Sequence, residues 1–167
     1  MSRDIAPDAH ISPMADLEIS SKGSVLRVAE GVMIDAFVKI KMAGGTGDVT
    51  IGENSYLNSG CVIYSGHGVT IGRDVLIAAN CTIAATNHAF DDPSRPICMQ
   101  GFQPSRGGII VEDDVWIGAN CVLLDGAHIG RGSVIAAGSI VRSRLNPATI
   151  FAGTPLRAVR PRGDTKS

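Results

Sequence analysis

Residues 111–141 read VEDDVWIGANCVLLDGAHIGRGSVIAAGSIV. Within them an aliphatic side chain recurs every six positions: Val111, Ile117, Leu123, Ile129, Ile135 and Val141. Four residues after each of the first five stands a small or apolar one: Val115, Cys121, Ala127, Ser133 and Ser139. Fixed self-similarity of this kind marks a repeat architecture, and a six-residue period marks the parallel β-helix of hexapeptide repeats. The expected fold is therefore all-β, with three hexads closing one coil.

The register runs backwards through Ile83, Ile77 and Ile71, then Ile63, Leu57 and Ile51. It divides the chain into coils 51–68, 71–88, 111–128 and 129–146. Val69 and Thr70 read as a two-residue insertion, and Ala89 to Ile110 as one long loop excursion. Val28, Ile34 and Ile40 outline a weaker coil upstream, ahead of the run Gly44-Gly45-Thr46-Gly47. Ile5, Ile11 and Leu17 suggest a degenerate first coil that caps the stack. The whole of 1–167 reads as one domain: a cap or coil over 1–27, hexapeptide coils over 28–146, and a C-terminal segment and tail over 147–167.

The fourth hexad position supplies the corners. It holds Asn54, Gly60, Gly66, Asp74, Asn80, Thr86, Asp114, Asn120, Gly126, Gly132, Gly138 and Arg144. Gly, Asn and Asp tolerate the left-handed backbone that bends a strand into the next. The sixth position faces outward by strand alternation. Sorted by face it gives Tyr56, Leu76, Trp116 and Val134; then Val62, Thr82, Val122 and Ile140; then Gly68, His88, His128 and Asn146. Two outward ladders are apolar and one is polar. Exposed apolar ladders call for a partner, and a cyclic homo-oligomer would cover them in every subunit. On the third face, His128 is expected next to His88.

Composition bounds the function. Hydrophobic residues are 44%, charged residues 19% and aromatics 4%, with 20 glycines, which suits a core of small aliphatics and many tight corners. A net charge of −1 gives no global attraction to nucleic acid. No apolar run reaches the roughly 20 residues of a transmembrane helix, and the N-terminus lacks a signal peptide's apolar segment, so the expected location is cytoplasmic. Of the four cysteines, Cys61, Cys81 and Cys121 fall at inward fifth positions and Cys98 lies in the long loop. None forms a CxxC pair, so a structural zinc site is not expected.

The hexads, the segment VWIGAN at 115–120 and the ending AGTPLRAVR at 152–160 resemble the left-handed β-helix (hexapeptide-repeat) acyltransferases. The likeness is strongest to the maltose, galactoside and nodulation-factor O-acetyltransferase group and to enzymes that acetylate surface-polysaccharide sugars. It covers residues 28–160 and is most specific from 71 onward. The resemblance implies left-handed coils, a homotrimer, acetyl-CoA as acyl donor with no metal, and active sites in clefts between subunits.

Carried onto this chain, the resemblance makes His88, in AATNHAF, the general base. An acceptor hydroxyl must lose a proton as it attacks a thioester, and imidazole suits that task at neutral pH. The backbone N–H of Ala119 takes the family's oxyanion-donor place, where the side chain is immaterial. Asn58 and Trp116 match acceptor-side positions. Loops as long as 89–110 are often functional, and Arg95, Gln100, Phe102 and Arg106 are candidates there for gripping an acceptor. Gly118, Ala119 and Ala137 map to the pantetheine groove. Arg157 and Arg160 match basic residues near the nucleotide phosphates, to which guanidinium is well suited. Arg142 stands where the family often has threonine near the adenine.

Residues 1–27 do not resemble the N-terminal helical segment of the maltose and galactoside enzymes. The expected acceptor is therefore a sugar nucleotide or a lipid-linked or polymeric surface sugar. N-acetylation of an amino sugar is the alternative, since the same base serves an amine. A zinc hydro-lyase like the γ-class carbonic anhydrases needs a closely spaced histidine pair, and His67, His88 and His128 are twenty or forty residues apart. A non-catalytic β-helix scaffold is the remaining class.

Overall fold

The computed structural model describes residues 3–165. Its strands come in threes. The first coil holds β1 (Arg3–Ile5), β2 (His10–Ile11) and β3 (Asp16–Leu17). The second holds β4 (Leu26–Val28), β5 (Met33–Ile34) and β6 (Lys39–Lys41). The third holds β7 (Val49–Ile51), β8 (Tyr56–Leu57) and β9 (Val62–Tyr64), and the fourth β10 (Val69–Ile71), β11 (Leu76–Ile77) and β12 (Thr82–Ala84). A long loop intervenes. The fifth coil is β13 (Ile109–Val111), β14 (Trp116–Ile117) and β15 (Val122–Leu124), and the sixth is β16 (His128–Ile129), β17 (Val134–Ile135) and β18 (Ile140–Val141). β19 (Arg144–Leu145) and β20 (Thr149–Ala152) begin a seventh, and β21 (Arg157–Pro161) turns back on β20.

Every third strand joins the same sheet. Sheet A runs β1-β4-β7-β10-β13-β16-β19, sheet B β2-β5-β8-β11-β14-β17-β20-β21, and sheet C β3-β6-β9-β12-β15-β18. All neighbours are parallel except β20 and β21. The hexad aliphatics fill the prism between the sheets: Ile51, Leu57, Ile63, Ile77, Ile83, Ile117, Leu123 and Ile129 are fully buried. Burying one such side chain contributes roughly 1.5–3 kcal/mol.

Ten of the twelve expected corner residues adopt positive φ, from +46° at Gly66 to +89° at Gly126, the exceptions being Thr86 and Arg144. At Gly60 the corner also lies close to the next coil: a Cβ there would sit 2.3 Å from Asn80 Oδ1. Cys61, Cys81 and Cys121 form a buried interior column. Each thiol donates to a corner carbonyl one coil on: Ala78 at 3.1 Å, Gly118 at 3.2 Å and Ala136 at 3.2 Å. The adjoining Cys81 thiol, and then burial, push the Cys121 thiol far up.

Two boundaries differ from the sequence reading. Val69 and Thr70 belong to β10, so the two extra residues sit in the corner at 65–68. Ile109 and Ile110 belong to β13, so the loop runs over 85–108 rather than 89–110. Each insertion precedes a strand and displaces it. The outward residue is the one before the inward aliphatic, not the sixth after the last hexad. The third face therefore carries Thr50, Thr70, Ile110, His128 and Arg144, and His88 and Asn146 are outside that column. The first two ladders stack in the expected register, and Met33 extends the first.

Two consequences can be measured. In native protein a thiol reagent should react with Cys98 alone, and with the other three cysteines only on unfolding; rapid reaction of all four would contradict the buried column. Ile83→Ala should lower the unfolding free energy by about 2–5 kcal/mol in denaturant titration.

Candidate active site

His88 follows β12 at the corner where the chain leaves the stack. Two backbone hydrogen bonds pin the loop's outgoing and incoming limbs together: Ala89 N–H to Gly101 O at 3.0 Å and Gln103 N–H to Asn87 O at 2.8 Å. They place Phe102 opposite His88, with ring centroids 4.8 Å apart and planes inclined by 29°. Neither His88 ring nitrogen has a hydrogen-bond partner among the described residues. Beside the ring opens a pocket of about 320 Å³ lined by Ala43, Gly44, Tyr64, Ala84, Thr86, His88 and Phe102. Thr86 Oγ1 donates to Gly44 O at 3.2 Å and fixes that wall.

Ala119 lies at the other edge of sheet C, at the corner after β14. Its N–H makes no hydrogen bond among the described residues, while Gly118 N–H donates to Ile135 O and Asn120 N–H to Ala79 O. The N–H groups of Ser59, Ala79 and Ala137 on the same corner are equally unengaged, so this edge presents a line of free donors. Gly118 has no room for a side chain, since a Cβ would meet Ala137 N at 2.5 Å. At the N-terminal end the corner turns polar. Asn58 has no side-chain hydrogen bond among the described residues. Asp35 Oδ2 accepts from Ser59 at 2.8 Å and from Tyr56 at 3.3 Å. The Ala36 N–H first, then the Ser59 hydroxyl, hold the Asp35 carboxyl below its ordinary range.

Arg142 and Arg157 come together at a groove of about 650 Å³ with Leu124, Ile140, Ser143, Thr154, Pro155 and Leu156. Arg160 is not in it; its guanidinium donates to the carbonyls of Pro161 and Asp164. Trp116 stands on sheet B, 54% exposed, in a separate pocket with Leu76, Val134, Asp114 and Arg162. Two loop candidates turn inward. Arg95 donates to Met99 O at 2.6 Å, and the Gln100 amide bonds Asp92 and Arg95 backbone groups. Arg106 is exposed at the loop's return.

His128 is not beside His88. Its Nε2 lies 2.6 Å from Glu112 Oε1 and its Nδ1 3.2 Å from Arg144 Nη1. Guanidinium only donates, so Nδ1 accepts and Nε2 carries the hydrogen toward Glu112. Its neighbours give it a structural task. No group of three or more His, Cys, Asp or Glu side chains suited to a metal occurs among the described residues.

The family model described as bacterial transferase hexapeptide (six repeats) matches residues 108–143, and that described as hexapeptide repeat of succinyl-transferase matches residues 48–85. This chain belongs to the hexapeptide-repeat transferase family. The family's galactoside O-acetyltransferase of Escherichia coli K12 is 38% identical over 117 residues, 70% of this chain and 56% of that protein. WbbJ of the same strain, a putative lipopolysaccharide biosynthesis O-acetyl transferase, is 32% identical over 135 residues, 78% of this chain and 65% of that protein. The chain thus matches between about half and two thirds of the length of these relatives. Among solved structures, a variant of the Bacillus cereus N-acyltransferase AntD, in complex with dTDP-4-amino-4,6-dideoxyglucose and coenzyme A, has a TM-score of 0.80. At 24% identity, over 95% of this chain and 83% of that one, it speaks for the fold alone. A hexapeptide-repeat acetyltransferase of Vibrio cholerae is 27% identical with a TM-score of 0.66, over 94% of this chain and 72% of that one. The shared fold is the left-handed parallel β-helix. No helix among the described residues is long and apolar enough to cross a membrane.

Sequence reasoning missed Tyr64, Gly44 and Thr86 as pocket walls. The glycine run 44–47 beside an irregular hexad was the available signal. It also missed Asp125, which no periodicity marks.

The acid limit of stability follows from the carboxylates. The contact with His128, then the Arg131 N–H, hold Glu112 below its ordinary range, as Asp35 is held by its own donors. Depressed carboxyls lend stability above their unfolded pKa values and lose it as pH falls through the folded ones. The unfolding midpoint should decline below about pH 4, near the unperturbed carboxylate values, and Glu112→Gln should flatten that decline.

Proposed function

We propose that the protein transfers an acetyl group from acetyl-CoA to a sugar hydroxyl, in the synthesis of cell-surface polysaccharide or lipopolysaccharide, with His88 as general base. The observation that carries this reading is His88 itself: an imidazole with both nitrogens unengaged, stacked on Phe102 beside a pocket. In the reaction His88 takes the hydroxyl proton as the oxygen attacks the thioester carbonyl. The developing oxyanion accepts from the Ala119 N–H. Collapse breaks the C–S bond, and the proton on His88 passes to the departing CoA sulfur.

His88 and Ala119 stand at opposite edges of sheet C within one protomer. The mechanism therefore needs the His88 corner of one subunit against the Ala119 corner of its neighbour, which supports a homotrimer. Exposed Met33, Leu76 and Trp116 on sheet B are the apolar surface such an assembly would cover. The line of free N–H groups and small side chains at Gly118, Ala119 and Ala137 suits pantetheine. The groove of Arg142 and Arg157, floored by Pro155 and Leu156, suits the phosphates and adenine. Arg160, held by backbone carbonyls, has the smaller part. Asn58, with its amide free, is the acceptor contact in this reading.

A second reading is N-acetylation of an amino sugar. It draws on the fold shared with AntD and on two Clostridium and Staphylococcus tetrahydropyridine-dicarboxylate N-acetyltransferases, 49% and 46% identical over 57 residues.

Acetyl-CoA binding by calorimetry is the first test. Ligand at 100 times its dissociation constant should add about 2.7 kcal/mol to stability, and absence of binding at millimolar ligand overturns the reading. Arg157→Ala should weaken CoA binding roughly tenfold or more, the scale of one charge-assisted hydrogen bond. His88→Ala should keep CoA binding and lose about 10²–10⁴-fold in turnover with a hydroxyl or amino-sugar acceptor.

A further inference from the structure

The loop that carries Phe102 returns to the stack through a side chain with no place in the chemistry above. Asp125 is 1% exposed. Its Oδ2 accepts the Arg106 N–H at 2.8 Å and its Oδ1 the Gly108 N–H at 2.9 Å. Backbone bonds complete the joint: Gly126 N–H to Gly108 O at 2.7 Å and Ile109 N–H to Gly68 O at 2.9 Å. Gly108 sits at φ +74°, and a Cβ there would meet Gly68 O at 2.5 Å, so the limb lies flush on the third coil.

The register makes this acid an exception. The matching corner residues of the third and fourth coils are Ser65 and Ala85. A carboxyl out of water is costly unless its oxygens are hydrogen-bonded, and nothing in the coil's own packing asks for one. Among the described residues, only the loop's return limb donates to its carboxylate. Between that joint and Phe102 stand Gln103, whose N–H is held by Asn87 O, Pro104, whose ring fixes φ, and Ser105, whose Oγ accepts from Gly107 N–H at 3.0 Å. Only those three residues separate the clamped Arg106 from Phe102.

We propose that Asp125 is a positioning residue that clamps the loop's return limb and thereby seats Phe102 on the His88 imidazole. Its kinetic consequence rests on the transferase reading; the clamp itself does not. Asp125→Asn is the informative variant. It keeps the shape but offers one acceptor and turns an NH2 group toward the second N–H.

The test combines three readouts. A nitroxide on Cys98, the exposed loop cysteine, reports loop mobility. The ring resonances of His88 report the aromatic ring current of Phe102. Kinetics report turnover and acetyl-CoA affinity. In Asp125→Asn the label should become more mobile and the His88 resonances should move toward unstacked values. Turnover should fall by between about ten- and a hundredfold, the scale of an ångström misplacement, with acetyl-CoA affinity unchanged. Unchanged His88 resonances overturn the proposal, and so does a freed loop with parental turnover. In the unaltered protein the Arg106 and Gly108 amides should exchange as slowly as sheet amides; fast exchange overturns the clamp even if the variant fails to fold. The label, ring and exchange readouts need no acyl donor, so failure of acetyl-CoA to bind would remove the transferase reading without deciding the clamp.

Discussion

Each inward aliphatic side chain rests on its counterpart one coil away, and everything else follows from keeping that contact in register. A strand of two or three residues cannot stand alone, and its inward residue finds apolar partners only above and below. Ile51, Ile71, Val111 and Ile129 succeed one another in a single column of sheet A although loops of very different length separate them. Insertions must begin and end at the corners, because one residue gained within a strand would turn the apolar set outward. That is why the long excursion leaves after β12 and returns before β13.

The corners do a second job. A left-handed residue turns the backbone and also leaves one N–H per corner aimed away from the ladder. On the edge between sheets B and C these donors line up from Ser59 to Ala137. The thiols of Cys61, Cys81 and Cys121 and the hydroxyl of Ser55 donate to carbonyls one coil on, which gives these four small polar residues a place in an apolar prism. Architecture and candidate chemistry thus share one set of atoms. A groove for a thin chain arises wherever the corner residues stay small.

The period of six made the three sheets, the corners and two of the outward ladders legible, because each is a strictly local rule repeated. The third ladder was not, because an insertion before a strand breaks the count without breaking the packing; by that count His128 falls beside His88, whereas it lies between Glu112 and Arg144. The loop shows the same boundary of legibility. Phe102 and His88 meet as neighbours across it. Arg95 and Gln100 turn into the loop's own backbone, a choice set by short-range hydrogen bonding that no spacing reveals. Asp125 holds no position that the period marks, and only the returning limb gives it a task. Arg142 and Arg157 share a groove only because β21 doubles back, and nothing periodic announces a reversal.

That reversal has a consequence for how the molecule meets others of its kind. A stack of parallel coils ends in open strand edges, and a bare edge is a template on which another stack could continue. On sheet B, β21 runs antiparallel to β20 with a shift in register between Ile150 and Phe151. Its burial is low along most of its length, and Arg162 just beyond it is tied to Asp114 at 2.8 Å. An incoming coil would meet a strand of the wrong direction, at the wrong spacing and flanked by charge. On this one sheet the β20–β21 hairpin is in this sense a growth stop.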